Sequence, residues 1–140
     1  MIRPALVTLG LLFAVSLPAS AIDFDENAQG QIEFSMPSGN AGCIYTPKGG
    51  TDVYEPMGGG PELSCDRVEP AYVRVILGPA GKTKRYNNVG DASCCGSDNI
   101  FSYGAVWKHD GYRCASSESG ISCKRGGHGF SMSRKAVKTW

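Results

Sequence analysis

Eight residues lie between Cys114 and Cys123, and most of them are turn-forming. This spacing predicts two short strands, 112–115 and 121–124, joined by the polar turn 116–120, with the two sulfurs facing each other across an antiparallel ladder. A third strand, 129–133, is expected after the Gly126-Gly127 turn. The stretch 103–134 that holds these elements also carries both histidines of the chain. A chain pinned in this way is committed to antiparallel β structure.

The remaining cysteines extend the constraint. The chain has six: Cys43, Cys65, Cys94, Cys95, Cys114 and Cys123. An even number in a small exported domain is a disulfide framework. Export is read from the first residues, with basic Arg3, the apolar run 5–17 and the small-x-small triplet Ala19-Ser20-Ala21. That run is too short to span a bilayer as a helix, and no later segment is apolar enough to do so. Residues 1–21 are therefore expected to be a signal peptide, and the mature protein to be periplasmic or secreted. With 14 basic and 13 acidic residues in the whole chain, and Arg3 in the leader, the mature charge is balanced. This argues against nucleic acid as a partner.

In chain order, 22–31 is a polar N-terminal arm whose one apolar anchor of size is Phe24, and it is expected to be loosely held. The domain proper is expected over 32–140. Strands are expected at 32–34, 42–45 and 63–67, with a Pro37-Ser38-Gly39-Asn40 turn between the first two. Residues 46–61 contain five glycines and three prolines and read as a mobile or ligand-binding loop. A Cys43–Cys65 bridge would close it and stabilise the fold by about 3 kcal/mol. Residues 71–77 give the strongest strand pattern and return through 78–81 to a polar strand at 82–87. Short strand-like pieces follow at 99–103 and 105–108. At the C-terminus, Ser133 is expected to cap a helical turn over 134–138, and Trp140 to pack back on the sheet. The fold class is all-β, a small antiparallel sandwich or partly closed barrel stapled by two or three disulfides.

Chemistry is less legible. The doublet Cys94-Cys95 would form a small redox-responsive ring if its sulfurs joined each other. The favoured reading ties each to a different strand, for example to Cys43 and Cys65. No zinc spacing is present, and neither a metal nor a cofactor is expected. His128, between two glycines, is the best candidate for a working side chain. Paired with Asp110 it would suit a hydrolase, yet no Gly-x-Ser-x-Gly elbow accompanies it. A structural or binding role is favoured. His128, Tyr54 and Trp107 are the expected binding residues, because rings stack on apolar faces of ligands.

The segment 34–43, with Phe34, Pro37-Ser38-Gly39-Asn40 and Cys43, resembles the F-x-x-P-S-G-N-x-x-C opening of a family of small exported bacterial proteins. Leu63-x-Cys65-Asp66, Tyr103-Gly104, Cys114-x-Ser116, Gly120-x-x-Cys123 and Gly127-His128-Gly129-Phe130-x-x-Ser133-Arg134 are similar to its later motifs. The resemblance implies an exported, disulfide-linked domain and carries no activity, since the family's function is unknown. The expected function is a non-catalytic binding or envelope-associated module for a protein, glycan or small-molecule ligand. The alternatives are a hydrolase using His128 or a redox-responsive protein using Cys94-Cys95.

Overall fold

The computed structural model describes residues 13–140. Most of the expected signal peptide lies outside them. Two sheets pack face to face without closing into a barrel. The first contains β2 (Ile32–Ser35), β3 (Ala41–Thr46), β4 (Glu62–Arg67), β5 (Val73–Leu77) and β6 (Lys84–Tyr86), in sequence order. The second runs β7 (Ala105–His109), β8 (Tyr112–Ser117), β9 (Gly120–Arg125), β10 (His128–Met132) and β11 (Val137–Thr139), with β1 (Ser20–Ala21) parallel to β7 at its edge. β2 to β6 and β7 to β11 are thus two successive meanders, and only β1 crosses from the N-terminal part to the second sheet.

Alternation of side chains explains both layers. In β5, Val73, Val75 and Leu77 are buried while Arg74 and Ile76 lie on the other face. In β8 and β9, Tyr112, Cys114, Ile121 and Cys123 point inward, and Arg113, Ser122 and Lys124 point to solvent. Such a period of two gives each strand one apolar face, and burying two such faces together makes the sandwich.

Both core disulfides are directly opposed residues. Cys43 pairs with Cys65 across β3 and β4, and Cys114 with Cys123 across β8 and β9. Each pair has Cα atoms 4.1 Å apart, the close approach typical of opposed residues that do not exchange backbone hydrogen bonds. The sulfurs of Cys43, Cys65 and Cys123 all lie within 4.8 Å of one another, so one bridge of each sheet meets the other in the centre. Beside them Phe34 stacks on Phe24 with ring centres 4.8 Å apart, and packs on Trp107 at 5.1 Å.

The structure departs from the sequence reading in several places. The arm 22–31 is tied down. Ile22 and Phe24 pack on the core, and the Asn27 side chain accepts bonds from the Gln29 and Gln31 amides. The expected helical turn at 134–138 is a hairpin instead. Ser133 does bond the Ala136 amide, but the chain then returns as β11 against β10. Three β-favouring registers outweigh one helical turn too short to sustain itself. Residues 99–103 form only an isolated bridge, Ser35 with Ile100, and bury Phe101 in the core.

Candidate functional site

The two ends of the sandwich differ, and the strand registers say which loops meet at each. At one end β8 and β9 are joined at Ser117 and Gly120. Here also lie the β2–β3 turn, the β4–β5 turn and the β10–β11 turn. Arg67 links two of them, donating from Nη1 to the Ser133 carbonyl at 3.0 Å and from Nη2 to the Ala71 carbonyl at 3.0 Å. Between these turns opens a cleft of about 230 Å³ lined by residues including Ser38, Asn40, Arg67, Tyr103, Glu118, Ser119 and Arg134. Its inner wall is apolar, from Met36, Ala41 and Met132, which are otherwise buried. Tyr103 and Arg134 are exposed at its margin.

At the other end β9 and β10 meet through Arg125 and His128. Asp110, in the β7–β8 turn, and the 46–61 loop emerge here too. The carboxylate of Asp110 accepts a bond from the Tyr45 hydroxyl at 2.6 Å, and its carbonyl accepts one from Arg125 Nε at 3.2 Å. His128 is half-buried. Among the described residues no hydrogen bond or ion pair joins it to Asp110, whose carboxylate is taken by Tyr45.

Tyr54, near the middle of the 46–61 loop, is exposed and donates to the buried carboxylate of Glu62 at 2.7 Å. Burial, and then this bond, pushes its phenol up to about 12. The loop is folded on itself by bonds such as Gly49 N–H to the Gly59 carbonyl at 2.8 Å. It presents Val53 and Met57 to solvent. Trp107 is 1% exposed, stacked on His109 and packed at a tilt against Phe34. It is a core residue and offers no face to a ligand. A strand carrying alternate buried residues at Ala105 and Trp107 puts that indole inward.

The cysteine doublet also corrects the sequence reading. Cys94 and Cys95 are joined to each other and not to Cys43 or Cys65. The reason is a matter of faces. Cys43 and Cys65 point into the core, whereas the doublet lies on the outside of the same sheet. It belongs to the long connection from β6 to β7, which straps that outer face from β5 to β2. Arg74 donates to the Asp91 carbonyl at 3.1 Å, the Cys94 amide to the Tyr72 hydroxyl at 3.2 Å, and Ser97 Oγ to the Glu33 carbonyl at 2.8 Å. Beneath the strap, Asp66 accepts bonds from Arg74 Nε and Nη2, each at 2.7 Å, and from the Tyr72 hydroxyl. Burial, followed by the bond to Asp66, raises the Tyr72 phenol above its usual range.

The end cleft was not singled out by the sequence, although its residues were in view. Ser38, Asn40, Tyr103, Gly120, Ser133 and Arg134 all carry the family resemblance described above, and all line it. That shared property was the signal available. The chain matches no family model, no curated protein and no solved structure. Fold and site together define a disulfide-stapled β-sandwich with an open cleft at one end. Its core bridges fit an oxidising compartment, and no helix among the described residues is long and apolar enough to cross a membrane.

Proposed function

We propose that this protein is an exported, non-catalytic binding module whose recognition site is the end cleft. The convergence of four turns on one concave surface carries this reading. They bring together Ser38 and Asn40, Arg67 at the end of β4 beside the β4–β5 turn, Ser117 to Gly120, and Ser133 with Arg134. Concave sites with an apolar wall and a few convergent polar groups are where proteins hold small ligands. Several residues of the motifs that resemble the small exported bacterial family lie far apart in sequence and line this cleft together, which supports the reading. The leader-like N-terminus supports periplasmic or secreted location.

The test is a screen of short peptides and oligosaccharides against isotopically labelled protein by amide NMR. Perturbations grouped at Tyr103, Ser119 and Arg134 support the cleft. Perturbations grouped at His128 and Tyr54 instead would move recognition to the opposite end.

A second reading concerns Cys94-Cys95, since the other four cysteines are occupied in the core and this pair is half-buried at the surface. A dithiol donor would deliver two electrons, leaving two thiols on this chain and a disulfide on the donor. Alkylation mapping after graded dithiothreitol treatment tests it. Release of the doublet together with the core pairs would remove this reading.

A further inference from the structure

Arg67 is a buried cation that has no buried anion. It is 5% exposed, and among the described residues no carboxylate forms an ion pair with it. The sole ion pair found there joins Arg74 to Asp66. Asp66, next in sequence, points to the opposite face of β4 and is consumed by Arg74 and Tyr72. Arg67 is held by carbonyls alone, through Nε and Nη2 to Ala71 and Nη1 to Ser133. These bonds leave one N–H on each terminal nitrogen of its five-donor fork. Buried charges are ordinarily compensated by an opposite charge. Desolvation, and then the neighbouring Arg85, lowers the Arg67 pKa from its ordinary value.

Arg67 also lines the cleft, and a second arginine, Arg134, stands at the margin. The one acid on that rim, Glu118, is exposed and pairs with neither.

We infer that the cleft receives a small organic carboxylate, held by the Arg67 fork with Arg134 at the rim and its organic body against Met36, Met132 and the Tyr103 ring. This rests on the reading of the cleft as the recognition site and adds the chemistry of what it takes. A planar carboxylate matches two parallel N–H donors. The apolar wall favours an anion with a carbon skeleton over an inorganic one. Two sources share this chemistry, the C-terminal carboxylate of a peptide and the carboxylate of an acidic sugar.

The experiment titrates labelled protein at neutral pH with five probes: N-acetylalanine, its carboxamide, glucuronate, methyl glucoside and inorganic phosphate. For a fragment of this size a Kd on the order of 1 mM is expected. The inference requires at least one carboxylate to shift the amides of Tyr103, Ser119 and Arg134, with its neutral counterpart weaker by about tenfold or more. Which carboxylate binds tells the peptide source from the sugar. Arg67→Lys keeps the charge but loses the fork, and should weaken the carboxylate by about tenfold. If that variant fails to fold, Arg134→Gln, at an exposed position, should still weaken it severalfold. Carboxamide or glucoside binding in the cleft as tightly as the acids overturns the carboxylate and leaves the cleft standing. Phosphate binding equally overturns the organic part. Silence from all five probes overturns the inference, while the wider peptide and glycan screen decides the cleft itself.

Discussion

A single carbon added to Gly42 would lie 3.0 Å from Cys95 Cβ and 3.1 Å from its sulfur. The bare backbone of β3 is thus what lets the strap carrying the cysteine doublet lie flat on the outer face of the sheet. Gly42→Ala should lift the strap or force the strand to shift, at a cost of about 1–3 kcal/mol for overpacking. Urea unfolding measures the loss, and faster hydrogen exchange at the Cys94 amide locates it. An unchanged midpoint would mean that the strap does not press on β3.

The two core bridges should be unequal. Cys43–Cys65 spans 22 positions and Cys114–Cys123 spans 9. Loop-closure entropy makes the longer closure worth more by about 0.8 kcal/mol, on a base of about 2–5 kcal/mol for either. Double alanine variants, chosen so that no hydroxyl is buried, compared by denaturant titration should rank in that order. The reverse ranking would show that packing of the sulfurs, not chain entropy, sets their worth.

Phe24 connects the arm to the core. Its ring stacks on Phe34 at 4.8 Å and meets Phe101 edge-on at 5.7 Å. Because the side chain is only half-buried, Phe24→Ala should cost about 1–2 kcal/mol, below the range for a fully buried phenylalanine. An effect within error in urea unfolding would return the arm to the loose state expected from its polar sequence.

Alkaline stability follows from the tyrosines. Burial raises the phenols of Tyr45, Tyr54, Tyr72 and Tyr112; bonds to Asp110, Glu62 and Asp66 add to this for the first three. The folded chain therefore holds protons that the unfolded chain loses near pH 10. This stabilisation is complete below about pH 10 and falls as pH rises, with Tyr54 giving up its share by about 12. Tyrosinate absorbance followed alongside circular dichroism should show these ionisations delayed and coupled to unfolding. Tyr54→Phe should remove part of the delay.

Much of the fold was legible in the sequence. The alternation in 71–77, the pinned hairpin of Cys114 and Cys123 and the turn at Pro37 to Asn40 each rest on neighbours within a few residues, and they name the strands correctly. The candidate site was not legible in the same way. Tyr54 and Trp107 were grouped as binding rings from residue type alone, and strand facing then separated them, one exposed at a loop and one in the core. His128 and Asp110 do share an end, yet Tyr45 takes the acid.

The sequence by itself determined the central strands of both sheets and the pairing of Cys114 with Cys123, because side-chain period and turn chemistry are local, while the bridge at Ile100 and the last strand needed the packed sheets beside them. Only the tertiary structure decided that Cys43 takes Cys65 and leaves Cys94 to Cys95, since that depends on which side of the sheet the strap crosses. It also decided that Arg67, Tyr103 and Arg134 meet in one cleft. The docking of two sheets sets where their turns fall, and no residue-by-residue pattern encodes that distance.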